Sequence, residues 1–161
     1  RSMIKVDITQ EMRDKAKEMS SEMGTIKGSF MKGQGNIYGF LGELCFLEVM
    51  KDAEHKNTYE YDLVLSDGKT LDVKTKKTTV EPKPNYECSV STWNLKQECD
   101  LYGFARVHKD MDVGWVLGVM DKESFLKDGT HYNKGDYDPS NRYTVKSECY
   151  SVAIEDLKSI N

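Results

Sequence analysis

Hydrophobic and polar positions change their spacing along the chain, and each change predicts a different element. Residues 9–23 place apolar side chains at helical intervals among Glu and Lys, with Thr9 as a candidate N-cap. Residues 37–50, after a candidate cap at Asn36, are apolar around nearly the whole helical circumference. Such a pattern predicts a helix that is buried on several sides. The glycine-punctuated residues 24–35 predict a loop, either a plain connection or an arm over a substrate backbone.

The rest of the chain reads mainly as short strands, beginning with a hairpin over residues 61–77 around a Ser-Asp-Gly turn. The succession of helical and strand patterns predicts an α/β fold, with a mixed central β-sheet flanked by helices, in a single domain over residues 1–161. Further strands are predicted at 87–92, 100–108, 113–120 and 143–152, a polar loop at 128–142, and short helices at 122–127 and 154–160.

Two acids interrupt the apolar pattern of the hairpin, Asp62 and Asp72. A tight two-residue turn would send them to opposite faces of the sheet. A three-residue turn with Gly68 as a left-handed bulge would place Asp62 opposite Lys74, so that Asp62, Asp72 and Lys74 share one face. We predict the three-residue turn, because alternation already places Asp72 and Lys74 on the same side.

The apolar helix carries two further acids, Glu43 and Glu48. A buried carboxylate is costly unless it is paired with a cation or a metal. Glycines at 39 and 42 lower helix propensity but allow another backbone to approach, so we expect this helix to lie tightly on the sheet. The pattern of this helix does not choose between the two acids, so Glu43 and Glu48 are both candidates for such a pairing.

Composition limits the classes of function. The 161 residues carry a net charge of −4, which argues against broad electrostatic coating of nucleic acid. Two local stretches are basic all the same: residues 69–83 carry +3, and residues 24–42, with Lys27 and Lys32, carry +2. The four cysteines are scattered, with no zinc-binding spacing, and predict reduced thiols.

Targeting and membrane signals are not recognisable. The longest apolar run falls short of the roughly 18 residues of a membrane span, and the N-terminus lacks the pattern of a secretory signal. Arg1-Ser2 before Met3 looks like the remnant of an expression tag. We therefore expect a cytoplasmic protein without a membrane partner.

The hairpin acids and the neighbouring lysine have a common chemistry. Two carboxylates a few ångströms apart repel unless a divalent cation neutralises them. Oxygen ligands of this kind suit Mg²⁺ or Mn²⁺, which bind substrate phosphate while keeping several waters. A nearby lysine can position the attacking water or neutralise charge on the phosphate. These residue types predict metal-assisted hydrolysis of a phosphodiester.

The arrangement resembles the PD-(D/E)XK nuclease superfamily, which has the restriction-endonuclease-like fold. Asp62, nine intervening residues and then Asp72-Val73-Lys74 match its hairpin motif, and Glu43 after a glycine matches its upstream acid. The resemblance covers about residues 36–77. It implies Asp62, Asp72 and Glu43 as ligands of Mg²⁺, Val73 as a ligand through its carbonyl, and Lys74 as the catalytic lysine.

Two positions depart from the family pattern. Tyr61 stands where many members have proline before the first acid. Gln97 and Tyr102 are separated by one residue more than in the Gln-x-x-x-Tyr element of some members, which leaves the role of Gln97 open.

The resemblance implies a metal-dependent deoxyribonuclease, an endonuclease of phage or prokaryotic genome processing, in the host cytoplasm if it is phage-encoded. The alternatives are an inactive nucleic-acid-binding or assembly module on the same fold, and a purely structural domain. Nucleases of this size often pair to cut two strands, so a homodimer is one expectation. Lys76, Lys77, Lys32 and Lys27 are expected to contact flanking phosphates of DNA, or in the strand to protect a sheet edge. Trp93, Trp115, Tyr102 and Phe104 are expected in the core.

Overall fold

The computed structural model describes residues 3–27, 34–139 and 142–160. The α-helices in these ranges are Gln10–Lys27 (α1), Gln34–Val49 (α2) and Lys122–Asp128 (α3), and single 3₁₀ turns lie at Thr92–Lys96 and Ile154–Asp156. The strands are Ile4–Asp7 (β1), Glu54–His55 (β2), Leu63–Val64 (β3), Thr70–Thr78 (β4), Glu87–Ser91 (β5), Leu101–His108 (β6), Val113–Asp121 (β7), Thr130–Tyr132 (β8), Tyr137–Asp138 (β9), Tyr143–Thr144 (β10) and Cys149–Ala153 (β11).

Six strands form a central sheet in the order β1-β7-β6-β4-β3-β2. β4 and β6 run parallel, whereas the other neighbouring pairs are antiparallel. A parallel pair needs a crossover rather than a tight turn, and the crossover from β4 to β6 contains β5. β5, β11 and β8 form a second sheet. The predicted α/β class and the mixed central sheet are therefore confirmed.

The central sheet is buried on both faces, which explains why β6 is apolar almost throughout. On one face, Ala105 and Val107 of β6 pack in a core with α1 and α2. On the other face, Tyr102 and Phe104 pack in a second core with residues of β5, β11 and α3. Alternate positions of a single strand thus serve two different cores.

Helix α2 lies directly against β4 at Gly42. A Cβ atom added at Gly42 would lie 1.9 Å from Oγ1 of Thr75, so no side chain larger than hydrogen fits there without a shift. The predicted tight packing of this helix on the sheet is confirmed at Gly42. Gly39, by contrast, has open space around its missing side chain.

The helix boundaries differ from those predicted. The Thr9 cap is confirmed, because its Oγ1 accepts a hydrogen bond from the backbone N–H of Met12 at 3.1 Å. α1 continues to Lys27, and α2 begins at Gln34, before the predicted cap Asn36. The predicted loop is thus helical at both ends, although a glycine within a helix costs about 1 kcal/mol. Residues 28–33 lie outside the described ranges.

The C-terminal third is more divided than predicted. The strands near 87–92, 100–108 and 113–120 and the helix near 122–127 are confirmed. The predicted strand 143–152 is two strands, β10 and β11, and only a 3₁₀ turn forms within the predicted helix 154–160. Short edge strands carry too few residues for a periodic pattern, so β1, β2, β8 and β9 were not predicted.

None of the described helices is long and apolar enough to cross a membrane. All four cysteines are free thiols, as expected, and Cys45, Cys88 and Cys99 are buried.

Candidate active site

The hairpin of β3 and β4 closes through a three-residue loop. The N–H of Leu65 donates to the carbonyl of Lys69 at 2.8 Å, the N–H of Gly68 donates to the carbonyl of Leu65 at 2.9 Å, and Gly68 has a φ of 89°. A left-handed glycine at this position is the bulge that follows a type I turn. The predicted loop length and the role of Gly68 are confirmed.

The predicted pairing within the hairpin is wrong by two residues. Leu63 pairs with Leu71 and Val64 with Thr70. The three-residue loop therefore lies one residue nearer the N-terminus than the predicted pairing required. Continued by one residue, this register brings Asp62 beside Asp72 rather than opposite Lys74. A shift of two residues leaves every side chain on its original face, whereas a shift of one reverses it. The acids therefore still converge.

Asp62 lies just before β3 and is buried. Its N–H donates to the carbonyl of Leu71 at 2.9 Å, and its Oδ2 accepts from the N–H of Val73 at 2.8 Å. Burial, followed by the charges of Glu43 and Asp72, raises the pKa of Asp62 to about 9. The carboxyl is thus fixed in place by the backbone of β4 and disfavoured as an anion by its neighbours.

Asp72, Lys74 and Gln97 form a closed network of side chains. Nζ of Lys74 lies 2.7 Å from Oδ2 of Asp72 and donates to Oε1 of Gln97 at 2.8 Å. Nε2 of Gln97 donates to Oδ1 of Asp72 at 3.4 Å and to the carbonyl of Tyr59 at 2.6 Å. Gln97, whose role the sequence left open, therefore lies in the cluster and holds both the acid and the lysine.

Glu43 reaches the same cluster from α2, next to Gly42. It is buried, and its Oε1 lies 2.7 Å from Nε2 of His55 on β2. Burial first and the charge of Asp72 second raise the pKa of Glu43 to about 8, although a hydrogen bond with Asp62 lowers it. Burial also disfavours the charged form of His55 and therefore lowers the pKa of its imidazole.

Glu48, the alternative acid on α2, does not belong to the cluster. It is exposed and lies 3.2 Å from Nζ of Lys51 on the surface. Of the two acids on this helix, only Glu43 lies with the hairpin acids.

The four lysines expected to contact phosphate are placed differently. Lys76 lies on the same face of β4 as Lys74, beside Arg106 of β6. Lys77 points to the opposite face, with its Nζ 5.3 Å from the centre of the Tyr38 ring. Lys32 and the side chain of Lys27 lie outside what the structure describes.

Three of the four aromatic residues expected in the core are buried there: Tyr102, Phe104 and Trp115. Trp93 is 73% exposed, so the core prediction for it is wrong. It belongs to the 3₁₀ turn that leads into Gln97, where Nζ of Lys96 lies 5.4 Å from its ring centre.

Sequence reasoning missed His55. It comes from a two-residue edge strand with no periodic pattern, and only its pairing with Leu63 brings it next to Asp62 and Glu43. No signal in the sequence singles it out among the three histidines.

The chemistry of the cluster fits a hard divalent cation. Glu43, Asp62 and Asp72 offer carboxylate oxygens in a buried place, where their mutual repulsion favours either a proton or a metal. In the described part of the chain, no three His, Cys, Asp or Glu side chains are arranged as a ready-made ligand set. Asp72 instead faces Lys74, and Glu43 faces His55. Metal binding would require these carboxylates to exchange their present partners for the cation.

Neither protein-family models nor curated protein sequences give a match to this chain. Its function must therefore be inferred from the residues of the cluster themselves.

Proposed function

We propose that the protein is a metal-dependent nuclease that hydrolyses phosphodiester bonds of DNA, with Mg²⁺ or Mn²⁺ as its cofactor. One observation carries the proposal: three carboxyl groups from α2, β4 and the segment just before β3 are buried together, and Nζ of Lys74 lies 2.7 Å from one of them, Asp72. A cluster of acids with one lysine is costly to bury, and structural packing gives no reason for it.

Glu43, Asp62 and Asp72 would hold the metal, with the carbonyl of Val73 as a further oxygen ligand. When bound, a divalent cation supplies an activated water nucleophile and neutralises charge on the phosphate. Asp62 is already oriented for such a role, because the N–H of Val73 fixes one of its oxygens at 2.8 Å. His55 orients Glu43 in the same way.

Lys74 would act on the scissile phosphate or on the attacking water. Its ammonium is held between Asp72 and Gln97, so it needs little reorganisation to offer a hydrogen bond at that point. A fixed cation that meets charge as it develops on the phosphate lowers the barrier more than one that must first be ordered. Gln97 is a positioning residue in this scheme.

The restriction-endonuclease-like fold is part of the same proposal. Its support is the order of the elements: α2 with its acid precedes the hairpin with Asp62 and Asp72-Val73-Lys74, and β4 pairs in parallel with β6 after a crossover. The resemblance in motif and the arrangement of elements point in the same direction.

The decisive experiment compares cleavage of plasmid DNA, single-stranded DNA and RNA with Mg²⁺, Mn²⁺ or EDTA. We expect cleavage by the wild type that depends on the metal. Asp72→Asn, Lys74→Ala and Glu43→Gln should each reduce the rate at least about a hundredfold, as expected for groups that stabilise the transition state. Glu48→Gln is the matched control, because it makes the same change on the exposed side of the same helix.

Undiminished cleavage by Asp72→Asn and Lys74→Ala would show that the cluster is not the active site. Metal-independent binding of DNA with no cleavage by the wild type would favour the non-catalytic nucleic-acid-binding or assembly module.

A further inference from the structure

A cavity of about 810 Å³ adjoins the acidic cluster, between the central sheet and the second sheet. Lys74 belongs to the acidic cluster and also lines the cavity, so the cavity opens next to the candidate catalytic lysine. The wall on the central sheet includes Lys76, Phe104 and Arg106, and the facing wall includes Glu87 and Ser151.

Two cations lie side by side in this wall. Lys76 and Arg106 are register partners on the parallel strands β4 and β6. Arg106 is 6% exposed, yet among the residues that the structure describes it donates only to the carbonyl of Glu87, at 2.9 Å, and it stacks 5.3 Å from the Tyr86 ring centre.

Neither cation has a carboxylate within salt-bridge distance among residues 3–27, 34–139 and 142–160. The carboxylate of Glu87, which also lines the cavity, accepts instead from Oγ of Ser151 at 2.8 Å. Asp138 lines the cavity as well and has partners of its own. Arg106 is buried and Lys76 beside it is exposed, so the two residues place neighbouring positive charges in the cavity lining, where they attract an anion. The wall therefore suits an anionic ligand.

Aromatic rings complete the cavity. Tyr86, Tyr132 and Tyr143 line it together with Phe104. Rings beside cations are the combination by which proteins bind single-stranded nucleic acid, since the cations hold phosphate and the rings stack on bases.

We propose that this cavity binds an unpaired nucleotide next to the scissile phosphate, with its phosphate held by Lys76 and Arg106, so that the substrate is single-stranded or frayed at the cut. The proposal rests on the proposed nuclease function. Lys74 and Lys76 are about 7 Å apart along β4, so a strand that reaches Lys74 can present its neighbouring phosphate to Lys76.

The dimensions of the cavity exclude a duplex. Pockets of roughly 300–1,000 Å³ hold one small molecule, whereas the major groove of a duplex is by itself about 12 Å wide. A nucleotide can enter only when it is unstacked and unpaired, which costs least in a strand that is already single.

The test measures binding of a dye-labelled oligothymidylate and of the matching blunt duplex by fluorescence anisotropy, in EDTA so that nothing is cleaved. We expect the wild type to prefer the single strand. Lys76→Gln and Arg106→Gln should each weaken single-strand binding about tenfold and reduce its salt dependence by roughly one phosphate contact. Lys69→Gln removes the same charge from an exposed position just before β4 and should change binding less than about twofold.

The subsite is refuted if Lys69→Gln weakens binding as much as Lys76→Gln, if the duplex binds as tightly as the single strand, or if the single strand does not bind. Thermal melting checks that the Arg106→Gln variant is folded. If that variant is unfolded, the binding result for Lys76→Gln alone tests the subsite.

Cleavage assays with Mg²⁺ separate the two proposals. If the wild type cleaves but Lys76→Gln binds normally, the subsite fails and the nuclease stands. If Lys76→Gln loses single-strand binding but no protein cleaves, the subsite stands and the nuclease fails.

Discussion

The ammonium of Lys74 lies 2.7 Å from the Oδ2 atom of Asp72, two residues before it on the same strand. Both side chains are largely buried, with exposed fractions of 18% for Lys74 and 5% for Asp72. The lysine is therefore the nearest counter-charge for an acid that has two further acids as neighbours. This pair connects the stability of the fold to the chemistry proposed for it.

Removal of the lysine should destabilise the protein. Lys74→Met leaves Asp72 without its cation, and breaking one partner of a buried pair typically costs about 3–5 kcal/mol, somewhat less here because Lys74 reaches solvent. Urea unfolding at pH 7 in EDTA measures the loss. The double variant Asp72→Asn/Lys74→Met should recover most of the stability, and an unchanged urea midpoint for Lys74→Met alone would contradict the buried pair.

Stability of the metal-free protein should fall as the pH rises. The ordinary pKa values of Asp62 and Glu43 are 3.8 and 4.5, but in the folded protein they are about 9 and about 8. The folded state therefore holds protons that the unfolded chain has released, and the stabilisation present below about pH 4 is lost as the pH rises towards 9. Thermal melting in EDTA between pH 5 and 9 measures this decline.

Asp62→Asn should flatten the pH dependence of the melting temperature, because the amide cannot ionise but can still accept from the N–H of Val73. Asp67→Asn, in the exposed turn of the same hairpin, should leave the slope as it is. A wild-type melting temperature that rises from pH 5 to 8 would contradict the raised pKa values.

Binding of Mg²⁺ or Mn²⁺ should release protons. A cation binds carboxylates, so the protons that Asp62 and Glu43 hold near neutral pH must leave, and the affinity should increase as the pH rises through about 8. Calorimetric titration in buffers with different ionisation enthalpies counts the protons. Glu43→Gln should reduce the number released at pH 7, and Glu48→Gln should not. Binding that is independent of pH from 6 to 9 would argue against these ligands.

A methyl group at Gly42 should disturb the contact between α2 and β4. The added Cβ would lie 1.9 Å from Oγ1 of Thr75, and overpacking of this kind typically costs about 1–3 kcal/mol. Thr75→Ala should cost little, because that buried hydroxyl has no hydrogen-bond partner in the described structure.

The double variant Gly42→Ala/Thr75→Ala tests the contact directly. Its loss in free energy of unfolding should be smaller than the sum of the losses of the two single variants, as expected for residues that touch. Additive urea midpoints would show that the two residues do not interact.

Local patterns were sufficient to predict much of the cluster. Strand alternation placed Asp72 and Lys74 on one face, and the left-handed preference of Gly68 gave the length of the turn. The pairing was wrong by two residues because alternation specifies the face of a strand but not its position along its partner. Glu43 and Glu48 could not be separated by periodicity, since α2 is apolar on nearly every side.

Residues that join the site through tertiary structure could not be predicted. His55 depends on a two-residue edge strand, and Gln97 depends on the 3₁₀ turn Thr92–Lys96. Arg106 could have been singled out from the sequence, because it is the one charged residue inside the otherwise apolar run of β6 before His108. Such an interruption in a strand buried on both faces needs a purpose.

Gly42 affects the rotation of α2 about its own axis as well as the distance between α2 and β4. Its bare surface touches β4 on one side of α2, so it fixes how far the helix is rotated about its own axis. Glu43, the next residue, is turned about 100° from that contact, which aims its carboxyl at Asp62 and His55 rather than at Thr75 of β4. The orientation of one acid is thus set by the absence of a side chain at the residue before it.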